Sequence, residues 1–196
     1  MTEQEALTIV RNYFINHNLQ PSRIEPDKQS SNSRFPDFIV KDNGSDCFLC
    51  EVKTPLLKVH PATNMFHWTT SISKLRGFVH TSVKQFASYN SSHSLPWILV
   101  FTSDHFQLNM HNFGQCIKGV IAYNGNVIKD LRNMRFIKDT EKDLSRVDMY
   151  LWLQISPKDK TIYQLKMFLY DHSPHLLEVE RISKLLSPYK DENISY

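Results

Sequence analysis

The sequence predicts an α/β domain built on a mixed central β-sheet flanked by helices. Three features carry that prediction. Several short runs are apolar on both faces, as in a sheet covered by helices on each side. Two longer stretches repeat their apolar residues at helical spacing. The elements follow the order α-β-β-α-β, with additional antiparallel hairpin strands after them. No repeat, low-complexity tract or long Pro/Gly-rich linker divides the 196 residues, so positions 1–196 read as one domain.

Residues 3–17 place Ala6, Leu7, Val10, Tyr13 and Phe14 at helical spacing and predict an amphipathic first helix. The stretch Asn18 to Arg34 is rich in Pro, Ser, Asn and Gln and reads mostly as loop, with a short strand around Ile24. PDFIV and CFLCEVK read as strands separated by the turn-formers Asp42, Asn43, Gly44 and Ser45. Phe38, Val40, Phe48, Cys50 and Val52 would line one face, Ile39 and Leu49 the other. A second helix runs from about Thr69 to Tyr89, with Ile72, Leu75, Phe78 or Val79, Val83 and Phe86 along one stripe. Pro96 then opens WILVF, a short buried strand that follows the helix as in a β-α-β crossover. CIKGVIAYNGNVIKDL reads as strand with an Asn-Gly turn. MYLWLQI and TIYQLKMFLY flank Pro157-Lys158-Asp159 as a long antiparallel hairpin, and a last helix covers about His175 to Leu186.

Bulk properties exclude several classes. Hydrophobic residues at 41% and charged residues at 22% exclude a disordered chain. The longest apolar run, Trp97 to Phe101, is far short of a membrane span. The polar, acidic start MTEQEAL does not resemble a secretory signal. The expectation is an intracellular protein, cytoplasmic or nuclear, without a membrane partner and open to forming a homodimer or larger complex. Three cysteines do not make a disulfide framework. Cys47 and Cys50 have CxxC spacing, but on a strand they would face opposite sides, so they read as small buried apolar groups. A net charge of +3 and a pI near 8.7 are compatible with a nucleic-acid partner without requiring one.

The informative constellation is Pro36-Asp37 on one strand and Glu51-Val52-Lys53 on the next. Asp37 and Glu51 each lie seven residues from Gly44. A three-residue turn with Gly44 in the left-handed conformation would set the two acids opposite each other, with Lys53 on the same face. Facing carboxylates repel, and a divalent cation between them turns that repulsion into a binding site. Mg²⁺ takes one or two carboxylates, keeps several waters and accepts phosphate oxygens. The cation lowers the pKa of a water and neutralises developing charge. Lys53 would orient or deprotonate that water or stabilise the transition state. The carbonyl of Val52 is an extra candidate ligand.

Asp37 preceded by Pro36, with Glu51 and Lys53 as ExK, resembles the PD-(D/E)xK superfamily of restriction-endonuclease-like nucleases. The α-β-β-α-β order is similar to that superfamily's core, and the resemblance covers roughly residues 3–103. It implies hydrolysis of phosphodiester bonds in DNA or RNA with Mg²⁺ or Mn²⁺. It also implies an acidic metal ligand from helix one, Glu5 or else Glu3. Gln85 and Tyr89, in QFASY, resemble the QxxxY helix of the RecB-type branch, which gives Gln85 a place in the site and Tyr89 one near substrate. Some RNA-cleaving relatives use an upstream histidine, for which His17 is the candidate here; a surface or capping role is the plainer reading. His60, His67 and His80 lie near the motif in sequence. Lys74, Arg76 and Lys84 are candidates to grip phosphates, set against a solvated helix face. Trp68, Trp97 and Trp152 read as core rather than base-stacking platforms. A rival reading keeps the fold and loses catalysis, leaving a silent module for nucleic-acid binding or complex assembly.

Overall fold

The computed structural model describes residues 1–25, 35–55, 68–105, 108–123 and 126–187. His60 and His67 lie outside them, as does the side chain of Trp68. The first helix, α1 (Glu3–Asn16), starts at a capping box: the Thr2 hydroxyl accepts from the Glu5 N–H, and the Glu5 carboxylate accepts from the Thr2 N–H. Strands β1 (Gln20–Arg23), β2 (Phe38–Asp42) and β3 (Ser45–Lys53) follow, then helix α2 (Trp68–Tyr89) and strand β4 (Trp97–Ser103). After these come α3 (Met110–Lys118), β5 (Val120–Tyr123), β6 (Asn126–Asp130) and α4 (Arg135–Leu144). The chain continues through β7 (Met149–Ile155) and β8 (Ile162–Leu169) to α5 (Leu176–Leu186).

Six strands form one mixed sheet in the order β1-β2-β3-β4-β7-β8. The β3–β4 and β4–β7 pairs are parallel and the other three antiparallel. The mixed α/β prediction is met. β4 and β7 are buried at every position, as central strands covered on both faces must be. On one face, α1 and α5 pack Val10, Phe14, Val179 and Ile182 against Phe38, Val40, Phe48, Cys50 and Val52. On the other, α2 and α3 pack Ile72, Leu75, Val79, Phe86 and Phe113 against Leu49, Leu99, Phe101 and Trp152. The expected division of β2 and β3 between two apolar faces is the observed one, and Trp97 and Trp152 are core.

Four local expectations are corrected. Residues 116–118 are not strand: they end α3, which stops at Gly119 in the left-handed conformation with φ 65°. The strand expected near Ile24 lies earlier, at Gln20–Arg23. The turn between β2 and β3 is a two-residue Asn43-Gly44 turn with both φ positive, 50° and 82°, as a type I′ turn requires. The extra residue is absorbed at Cys47, where the ladder shifts from Lys41↔Asp46 to Val40↔Phe48. That bulge also places Cys47 with Cys50 on the α1/α5 side rather than opposite it. Cys47 accepts a hydrogen bond from Arg181, and Cys50 is wholly buried.

The β5–β6 hairpin forms a separate two-stranded sheet. Among the described residues, no helix is long and apolar enough to cross a membrane.

Candidate active site

Beyond the bulge, β2 and β3 pair as Val40↔Phe48, Ile39↔Leu49 and Phe38↔Cys50. One more step along this ladder brings Asp37 level with Glu51. The two acids are cross-linked through backbone amides. The Asp37 N–H donates to Glu51 Oε2 at 3.1 Å, and the Val52 N–H donates to Asp37 Oδ2 at 2.8 Å. Period-two alternation puts Glu51 and Lys53 on the α2 side with Leu49, while Val52 turns into the α1/α5 core. Glu51 is 2% exposed and Asp37 9%.

Each acid has its own cation. The Lys53 ammonium donates to Glu51 Oε1 and, at 3.0 Å, to Gln85 Oε1. Gln85 Nε2 donates to the Phe35 carbonyl at 3.1 Å, so α2 is tied to the segment that delivers Asp37. Tyr89, one turn beyond Gln85, packs edge-to-face on Phe35 with ring centroids 5.9 Å apart. The guanidinium of Arg23, on β1, reaches Asp37 Oδ1 at 2.8 Å and lies over the Phe38 ring. Arg23 is not apparent from sequence: it sits in a stretch that reads mostly as loop, and its reach to Asp37 depends on β1 pairing with β2, which sets it opposite Phe38, next to Asp37.

Burial, reinforced by the charge of Asp37, pushes Glu51 up to about 7; Lys53 and Gln85 oppose the shift without cancelling it. Burial likewise raises Asp37, against the Val52 amide and Arg23, which favour its ionised form. Glu3 on α1 also contributes repulsion at Asp37. These shifts have a stability consequence with a definite sign. A carboxyl whose folded pKa lies above its unfolded one opposes folding as pH rises from about 4.5 through about 7, because the unfolded chain releases its proton first. In metal-free protein, Glu51→Gln is therefore expected to be more stable than wild type at pH 8, by about 1–2 kcal/mol. The difference should vanish near pH 4.5. Urea melts at the two pH values check this, and a variant destabilised equally at both would show Glu51 to be an ordinary structural acceptor.

The remaining site candidates divide. Asp37, Glu51, Lys53 and Gln85 are brought together. Val52 enters through its amide N–H, a contact that sequence alone does not foresee. Glu5 is corrected: its carboxylate is engaged by Thr2 at the helix start, and the α1 acid whose charge reaches Asp37 is Glu3. Arg76 is corrected too. It is 1% exposed and donates to the carbonyls of Cys116, Ile117 and Ile137, to Thr140 and to Glu141, which ties α2 to α3 and α4. Lys84 is exposed and Lys74 half-buried on α2, and the described hydrogen bonds join neither to the acids. His17 Nδ1 lies 2.8 Å from the Tyr13 carbonyl at the end of α1, and His80 Nδ1 lies 2.7 Å from Asp143 of α4.

The donor set suits a hard divalent cation. Two carboxylates on one face, disfavoured as a buried charged pair, match the one or two that Mg²⁺ takes from protein while keeping waters for the rest. Among the described residues, no group of three His, Cys, Asp or Glu side chains forms a fuller cage. Comparison with protein-family models, curated proteins and solved structures yields no match.

Proposed function

We propose that the protein is a metal-dependent nuclease that hydrolyses phosphodiester bonds of DNA or RNA in the manner of PD-(D/E)xK enzymes. The observation that carries the reading is the side-by-side placement of Asp37 and Glu51, with Lys53 fixed between Glu51 and Gln85. Asp37 and Glu51 would hold Mg²⁺ or Mn²⁺. When bound, the cation supplies an acidified water and neutralises charge on the scissile phosphate. The protein's own side chains do the rest. The Lys53 ammonium, held on two sides, orients the attacking water and donates to the phosphoryl oxygens as charge accumulates on them. In the hydrolysis an O–P bond forms from water, the P–O bond to the leaving sugar oxygen breaks, and that oxygen takes up a proton. Gln85 positions Lys53 and the Phe35–Asp37 segment together, and Tyr89 buttresses that segment from the next turn of α2. Lys74 and Lys84, also on α2, would meet the backbone of the nucleic acid.

Charge counting supports the reading. With both acids ionised, above the value of about 7 to which Glu51 is pushed, Asp37 and Glu51 are matched by Arg23 and Lys53 and the cluster is neutral. A divalent cation leaves it at about +2, a field suited to a phosphodiester.

The same neutrality is the observation that favours the second reading, in which the tetrad is a finished ion network in a catalytically silent module. Incubation of the pure protein with labelled single- and double-stranded DNA and RNA, in Mg²⁺, Mn²⁺ or EDTA, separates the two. Cleavage that appears with the metals and stops with EDTA is expected. Binding without cleavage under every condition would leave the silent module as the account.

A further inference from the structure

We propose that Arg23 is a resident counter-ion of the cation site: it occupies Asp37 in the metal-free protein, yields to the divalent cation, and then serves the phosphate of the nucleic acid. The inference rests on the nuclease reading and adds a residue and an order of events to it. Asp37 has two carboxylate oxygens. Oδ2 is committed to the buried Val52 amide at 2.8 Å, a bond that fixes the carboxylate plane. Among the described residues, Oδ1 carries no backbone hydrogen bond and is the oxygen that Arg23 Nη1 holds at 2.8 Å. Cation and guanidinium meet at that atom, and their like charges make them rivals for it.

Arg23 is built to leave. Its side chain is 46% exposed, against 17% for Lys53, so water screens the Arg23 end of the pair even though the Asp37 end is 11% exposed. It lies over Phe38 with its charged carbon 5.6 Å from the ring centroid, which keeps the guanidinium at the rim when the carboxylate is taken. Lys53 differs: Glu51 and Gln85 both hold it, and it stays. A guanidinium released at this edge of the sheet could grip an incoming phosphate with two parallel N–H donors. Until then it offsets the repulsion between the two buried acids.

The test reads cation binding apart from catalysis. Mn²⁺ is titrated into wild type, Arg23→Ala, Arg23→Lys and Asp37→Asn by calorimetry, with no nucleic acid present and with circular dichroism as the folding control. Arg23→Ala is expected to bind Mn²⁺ roughly threefold more tightly than wild type, the scale of a half-exposed ion pair. Arg23→Lys, which keeps a competing cation, should stay near wild type, and Asp37→Asn should lose binding. With Mn²⁺ present, a phosphorothioate oligonucleotide should bind Arg23→Ala several-fold more weakly than wild type, with Arg23→Lys recovering part of the loss. Wild type that binds Mn²⁺ with an affinity unchanged or weakened in Arg23→Ala would overturn the counter-ion role and leave the nuclease reading standing. Absence of Mn²⁺ binding in wild type and Arg23→Ala alike would overturn both.

Discussion

Glu51→Gln and Lys53→Ala are each expected to lower phosphodiester cleavage by on the order of 10³-fold or more, with the fold retained. The two losses should differ in kind. The amide of Glu51→Gln would keep an oxygen for the Asp37 N–H but lose the charge proposed to hold the cation, so both Mn²⁺ binding and cleavage should fall. Lys53→Ala leaves both acids in place and removes the ammonium between Glu51 and Gln85. It should bind Mn²⁺ at least as well as wild type and still fail to cut. Initial rates on labelled DNA and RNA, set beside Mn²⁺ titrations of the same preparations, check the pair. Wild-type cleavage by either variant would remove the assignment.

The second large effect concerns stability. Arg76→Met is expected to cost about 3 kcal/mol. The guanidinium caps the last carbonyls of α3, at 3.1 Å from Cys116 and 3.2 Å from Ile117. It also reaches α4 at Ile137 and Glu141, at 2.9 and 3.1 Å. A cation at a helix C-terminus meets both the orphan carbonyls and the dipole. Methionine preserves much of the volume but removes the charged donor, leaving Cys116 with the Gly119 amide and Ile137 with the Thr140 hydroxyl and no cation at the end of α3. Urea denaturation of the two proteins should show a lower midpoint at unchanged slope. At temperatures where both are folded, nucleic-acid affinity should be equal. A loss of affinity in folded Arg76→Met would return Arg76 to the phosphate-gripping role that its place on α2 first implied.

The contrast between Lys53 and Arg76 marks what is legible in the sequence and what is not. Glu51 and Lys53 lie in a run whose alternation fixes their common face, and the turn-formers near Gly44 place the reversal, although the two-residue turn sets Asp37 level with Glu51 only with the help of the bulge at Cys47. Period and turn chemistry are local and can be read along the chain. Arg76 occupies a position one helical turn from Ile72, Val79 and the rest of the buried stripe, and its charge argues for solvent. Its burial depends on carbonyls contributed by residues 40 to 61 positions away, at helices that the sequence does not announce. Helix α4 is hidden because RFIKDTEKDL is dominated by charge, with Ile137 and Leu144 its buried apolar contacts. Helix α3 is hidden because its polar start, capped by Asn109 and Asn112, precedes β-like residues on either side of Gly119. Glu5 fails for a different reason. Its spacing from Thr2 spells a capping box as clearly as a ligand, and the local bond prevails over the distant one.

The β2–β3 hairpin carries one residue more than a plain two-residue hairpin needs. A three-residue turn, or a two-residue turn with a bulge, satisfies the same parity between Asp37 and Glu51, and the protein uses the second. The surplus is therefore stored in the strand, at Cys47, about 7 Å of chain beyond the reversal in a ladder rising about 3.4 Å per residue. Length changes in this hairpin are consequently asymmetric. Removing Cys47 converts the bulge to regular ladder and leaves Asp37 level with Glu51, at the cost of the Arg181 contact. Inserting a residue between Phe48 and Glu51 instead reverses the side on which Glu51 and Lys53 emerge and drives them into the packing of α1 and α5. The hairpin thus has slack on one side of Phe48 and none on the other, so a residue can be lost with Asp37 still level with Glu51 only from the end nearer the turn.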